Sequence, residues 1–133
     1  METGQFRVTR FVIAHDCGFV INPRNLTGTI EGNLMMAMSR AKYECVRFDG
    51  RNVTSVDWLT YPIVEMPDVP DSVEIVMVNN SPDKPSTGAG EPSSRPVAAV
   101  LSNALFDATG IRFRRVPFSP ETLKAAFDKR NQA

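Results

Sequence analysis

Two periods of apolar residues run through this chain, one matching strands and one matching helices. Residues 6–14, Phe-Arg-Val-Thr-Arg-Phe-Val-Ile-Ala, alternate and then become continuously apolar, the pattern of a strand entering a core. The run stops at His15-Asp16-Cys17-Gly18. Asn22-Pro23 has the form of a cap followed by a first-turn proline, and Ile30, Leu34, Ala37, Met38 and Ala41 recur at helical spacing. This predicts a helix over 23–42. Residues 43–48 and 53–59 flank Asp49-Gly50-Arg51-Asn52, whose turn chemistry predicts a β-hairpin with an exposed tip. Pro62, Pro67 and Pro70 predict an extended surface crossing, followed by a strand over 73–78.

Asn79 to Glu91 has no core pattern, and an ordered loop of that length inside a compact domain is often functional. From Ser94 onward, Val97, Val100, Leu101, Ala104, Leu105 and Ala108 form an apolar stripe that closes at Thr109-Gly110, with glycine where a helix C-terminus favours it. Ile111 to Val116 predicts a short last strand, and Ser119-Pro120 caps a final helix through about residue 128. The expectation is one α+β domain over residues 1–133, of order β-α-β-β-β-α-β-α, with two long helices packed on a mostly antiparallel sheet.

Composition narrows the classes of function. Hydrophobic residues make up 42% of the chain, yet no stretch approaches the roughly 20 uninterrupted apolar residues of a membrane span. Fifteen basic residues balance fifteen acidic ones, and only Arg112, Arg114 and Arg115 cluster, so no stripe for nucleic acid stands out. Cys17 and Cys45 match no zinc, haem or redox spacing, which leaves reduced, partly buried thiols. Residues Met1 to Gln5 have neither the basic start nor the apolar stretch of a signal peptide.

The strongest chemical candidate is Gly88-Ala89-Gly90-Glu91-Pro92. Two glycines let a backbone approach a ligand closely, and a carboxylate before a helix N-terminus is a candidate proton acceptor. The structural alternative is that Glu91 complements a helix dipole while the glycines only turn the chain. Gly28 and Gly32, four apart on one helical face, each cost about 1 kcal/mol relative to alanine. Either another element packs tightly there or a ligand approaches, and Thr29 between them offers a hydroxyl. The only histidine lies in His15-Asp16-Cys17, where packing or a turn hydrogen bond accounts for it better than a metal site. Met35, Met36 and Met38 read as core filling, and no residue is assigned to direct metal ligation.

Taken together, Asp16-Cys17-Gly18, Asn22-Pro23, Gly28-Thr29-Ile30-Glu31-Gly32 and Gly88-Ala89-Gly90-Glu91-Pro92 resemble, in order and spacing, successive motifs of a known family. They are similar to the C-terminal part of the molybdopterin-binding large subunit of the xanthine dehydrogenase and aldehyde oxidase family, nearest its isoquinoline 1-oxidoreductase β-subunit-like branch. The resemblance implies that Glu91 is the catalytic base and takes a proton from a molybdenum-bound hydroxide or water. It implies that Gly28, Thr29, Gly88, Ala89 and Gly90 face molybdopterin, in the cytosine dinucleotide form, and that the substrate is an aldehyde or a nitrogen heterocycle. It also implies two partners, the remainder of the large subunit and an iron–sulfur subunit or domain. Thr29 stands where the family commonly has glutamine. Whole subunits are several times longer, so the isolated chain is expected to be inactive and to bind no cofactor by itself. The competing expectation is a non-catalytic interaction domain that retains the fold.

Overall fold

Asn22 starts the longest element. Its side-chain oxygen accepts the N–H of Asn25 at 3.0 Å, Pro23 follows with φ already set for a helix, and α1 runs over Pro23–Lys42, the predicted span. One face of α1 buries Ile30, Leu34, Ala37, Met38 and Ala41 as the spacing required, whereas Met36 stays exposed and Met35 half-buried. The structure is a computed structural model that describes residues 3–132. Its other elements are β1 (Arg10–His15), β2 (Ser72–Met77), α2 (Val97–Thr109) and α3 (Pro120–Asn131). Ser119 caps α3 by accepting the N–H of Thr122, and Gly110 ends α2 with a left-handed φ of 72°.

The expected mostly antiparallel sheet is wrong. Among the described residues the sheet has two strands, and β1 and β2 pair in parallel with Arg10 opposite Ser72 and His15 opposite Met77. The cause lies in the connection: α1 returns the chain along the molecule, so β2 enters beside β1 in the same direction, the geometry of a βαβ crossover. The predicted hairpin reduces to one antiparallel bridge, Phe48 to Val53, around a turn in which Asp49 accepts the N–H groups of Arg51 and Asn52. Its tip is exposed as expected. The predicted last strand over 111–116 is irregular. Phe113 fills the core instead, edge-on to Phe118 and Phe127 at 6.5 and 6.4 Å between ring centroids, and Ser102 donates to its carbonyl. Alternation marked extended backbone but not a partner for it. The order is therefore β-α-β-α-α, with a 3-10 turn at Met66–Asp68 in the proline-rich crossing.

One buried ion pair joins the end of α1 to that crossing. Lys42 is 4% exposed, its ammonium lies 2.7 Å from Asp68 Oδ1, and the Tyr43 hydroxyl donates to the same oxygen. The rings of Phe6 and Tyr43 flank the ammonium at 5.2 and 4.9 Å. Burial raises the Asp68 pKa, but hydrogen bonds from Lys42, Tyr43 and the Glu65 N–H outweigh it and hold the carboxyl below its usual range. The pair therefore contributes fully above about pH 4 and loses its contribution as the pH falls through the depressed folded-state value. Asp68→Ala, which leaves the Lys42 ammonium buried without its counter-charge, should destabilise the chain by about 3 kcal/mol at pH 7. Urea unfolding at pH 7 measures this, and an unchanged midpoint would show the pair to be dispensable.

Candidate functional site

Because β1 and β2 are parallel, their C-terminal ends lie side by side and the segments that follow them leave from one edge. The first segment carries Asp16-Cys17-Gly18, and the second is the long loop that ends at Glu91. They are strapped together by polar contacts. Asn79 Nδ2 donates to Asp16 Oδ2 at 2.6 Å, the N–H of Gly18 donates to Asp16 Oδ1 at 3.0 Å, Asn80 Oδ1 accepts the N–H of Val20 at 3.0 Å, and the Cys17 carbonyl accepts the N–H of Thr87 at 2.9 Å. Hydrogen bonds from Asn79 and the Gly18 N–H hold the Asp16 carboxyl below its usual pKa range. Gly18 has φ +68°, and a Cβ there would sit 2.0 Å from the Pro85 carbonyl oxygen. The Asp16-Cys17-Gly18 segment is thus a seat for the loop, through the turn hydrogen bonds of Asp16. His15 faces inward, 4% exposed, with Nε2 lacking a hydrogen-bond partner among the described residues.

A second tie fixes the far end of the loop to α1. Asn33, 6% exposed, donates from Nδ2 to the Gly90 carbonyl at 2.5 Å and to Ser93 Oγ at 3.0 Å. The structure therefore brings the Gly88–Glu91 loop against the helix that carries Gly28, Thr29 and Gly32. Sequence reading missed both Asn33 and the buried Ser93. The available signal was a polar, weakly helix-forming residue at the i+3 position from Ile30, on the apolar face of α1.

The glycines divide into two kinds. A Cβ added at Gly28, Gly32, Gly88 or Gly90 would meet nothing within 4 Å, and none of the four has a left-handed φ. The described residues thus supply no close-packed neighbour that would require glycine at these places. Ala89 packs against the core, and Gly88 and Gly90 on either side of it are exposed, although the Gly90 carbonyl turns in to Asn33. Thr29 is exposed, and its hydroxyl donates back to the Asn25 carbonyl at 2.9 Å, so outward it offers an acceptor. Glu91 is exposed, its carboxylate has no hydrogen bond or ion pair among the described residues, and its own carbonyl is pinned by the Ser94 N–H and hydroxyl at 3.0 and 2.8 Å. The helix after it differs from expectation. Glu91 precedes a single 3-10 turn, Pro92–Ser94, and α2 starts only at Val97, so the dipole of a long helix does not act directly on the carboxylate. Exposed glycines on α1 and in the loop, with an uncommitted carboxylate at the loop's end, leave open backbone that a polar cofactor could approach. Among the described residues no group of three or more His, Cys, Asp or Glu side chains could hold a metal ion.

The family model for the molybdopterin cofactor-binding domain matches residues 1–70, more than half of the chain. The chain belongs to that family. A nicotinate dehydrogenase subunit of Pseudomonas putida is 41% identical over 131 residues, which is 98% of this chain and 11% of that protein. The xanthine dehydrogenase molybdenum-binding subunit of Escherichia coli O157:H7 is 30% identical over 90% of this chain and 16% of its own length. The solved structure of aldehyde oxidoreductase from Desulfovibrio gigas superposes with a TM-score of 0.82 at 29% identity, covering 95% of this chain and 14% of that one. This molybdopterin-binding domain is therefore of the xanthine dehydrogenase and aldehyde oxidase type, and it spans 11–16% of the length of these relatives. No described helix is long and apolar enough to cross a membrane.

Replacing Asn33 with alanine leaves the Ser93 hydroxyl and the Gly90 carbonyl without their donor, a loss of about 1–3 kcal/mol. It should also speed amide exchange in the loop more than elsewhere. Equal exchange rates in the loop of Asn33→Ala and of the parent chain would refute the tie. Since the Asp16 pKa is depressed in the fold, its contribution to seating the loop is complete above about pH 4 and is lost on further acidification. Exchange measured across about pH 3 to 6 should show the loop loosening at the acid end, and Asp16→Asn should flatten that dependence.

Proposed function

We propose that residues 1–133 form one domain of the molybdenum-binding large subunit of a hydroxylase, with Glu91 as its proton acceptor and with Gly28, Thr29, Gly88, Ala89 and Gly90 lying against molybdopterin. The observation that carries this reading is the pairing of four glycines that open outward with a carboxylate whose backbone is pinned and whose oxygens are free. Pinning matters because a base must be held within hydrogen-bond reach of the proton it removes. Glu91 takes that proton on a carboxylate oxygen, while the glycine backbones and the Thr29 oxygen position the cofactor. When bound, molybdopterin with its molybdenum supplies the oxidation that hydroxylates a substrate carbon.

Relatives named for nicotinate, xanthine and aldehyde oxidation support an aldehyde or nitrogen heterocycle as substrate. The cofactor is taken to be the cytosine dinucleotide form, and electrons leave through an iron–sulfur subunit or domain. A chain that spans so small a share of its relatives needs the remainder of the large subunit to complete the cradle, so the isolated chain is inactive. The back-bonded Thr29 hydroxyl favours the second reading, a non-catalytic domain that keeps the fold and contacts no cofactor. One experiment separates the two. In a full subunit carrying this segment, Glu91→Gln should lower kcat by about 10²- to 10⁴-fold while molybdenum content stays unchanged. Unimpaired turnover in the variant would exclude Glu91 as the base.

A further inference from the structure

Between α1 and β2 the chain makes an excursion, residues 44–66, that is ordered by polar contacts and lined outside by apolar side chains. Phe48, Val56, Trp58, Leu59 and Met66 are all largely exposed, with Trp58 at 76% and Leu59 at 92%. The tip is not a loose loop. Asp57 Oδ1 accepts the N–H groups of Leu59 and Thr60 at 3.1 and 2.9 Å and the Thr60 hydroxyl at 2.8 Å, while Thr60 Oγ1 accepts the N–H of Val56 at 2.9 Å. At the base, the Tyr61 hydroxyl donates to Glu44 at 3.0 Å, and the Thr54 N–H donates to the Arg47 carbonyl at 2.8 Å. An open hollow of about 330 Å³ lies beside the Trp58 side chain, lined by Ser55, Val56, Asp57 and Tyr61.

We infer that residues 44–66 are a docking arm whose occupant is the part of the molybdenum-binding subunit that lies outside these 133 residues. This rests on the reading of the chain as a segment of such a subunit. Three observations choose the occupant. The chain equals only 11–16% of the length of its relatives, so most of a subunit's surface lies elsewhere. The arm carries charges of both signs, Glu44, Arg47, Asp49, Arg51, Asp57 and Glu65, with the acidic ones in excess, which suits neither an anionic membrane nor a nucleic acid. An aromatic anchor held outward by a rigid turn beside a hollow has the anatomy of a protein–protein hot spot, in which the ordering entropy is settled before contact. Asp57 is a positioning residue, since it touches only the turn that aims Trp58 and Leu59.

The test compares this chain alone with a chimera in which it replaces the matching 131-residue stretch of the Pseudomonas putida nicotinate dehydrogenase subunit. Tryptic cleavage at Arg47 and Arg51 reports coverage of the arm. Cleavage should be at least about tenfold slower in the chimera than in the isolated chain, and Trp58→Ser with Leu59→Ser should abolish that protection. The same double variant should leave the unfolding midpoint of the isolated chain within about 2 °C, because both side chains are solvated there. Asp57→Ala should lose part of the protection, and Asp57→Asn, whose amide oxygen can accept the same N–H groups, should restore it. Equal cleavage in a soluble chimera that retains molybdenum overturns the arm and leaves the reading of the domain intact. A chimera that is insoluble and holds no molybdenum overturns that underlying reading instead. Protection already present in the isolated chain, through a discrete dimer that the double variant dissolves, would make a second copy the occupant and overturn the assignment.

Discussion

The parallel pairing of β1 with β2 is the constraint on which the rest of this molecule depends. It sets His15 beside Met77, so the two segments that leave the strands start within one strand spacing of each other, about 5 Å. Had the strands been antiparallel, the same segments would have emerged at opposite ends of a six-residue strand, roughly 20 Å apart. The Asp16, Gly18 and Asn79 contacts require that proximity. Ligands of open α/β sheets gather at the carboxyl ends of strands for the same geometric reason.

Two clamps then convert proximity into a fixed surface. At the near end the Gly18 backbone accepts the close approach of Pro85, and at the far end the Asn33 amide holds Gly90 and Ser93. Between them the backbone from Ser86 to Glu91 has little regular structure, yet its course is determined. The buried amide of Asn33 is worth more than its two bonds, because a half-satisfied polar group in that place would favour an open loop. The ion pair of Lys42 and Asp68 serves a similar purpose at the C-terminal end of α1, where it ties the helix to the proline-rich crossing.

The helices were legible in the sequence because caps and apolar period act locally. Asn22-Pro23, Gly110 and Ser119-Pro120 mark the ends that the structure has, although α3 runs on to Asn131. The sheet was not legible, since strand pairing is a long-range choice and alternation along 43–59 or 111–116 is silent about partners. Half of the α2 stripe also misled: Val97, Leu101 and Leu105 are buried, while Val100, Ala104 and Ala108 face outward. Of the candidate site, the glycines and Glu91 stood out by residue type, but Asn33 acts on a carbonyl 57 positions further along the chain and gave only a weak local sign. The family resemblance carried what local chemistry could not, because four short motifs in order are far more specific than any one of them.

The open glycines of α1 have a consequence for anyone who would engineer this domain. Inside the chain, alanine at position 28 or 32 meets no obstacle and would improve helix propensity by about 1 kcal/mol. A directed-evolution campaign scored only on thermostability would therefore replace both, and it would bury under methyl groups the bare backbone that makes this surface accessible.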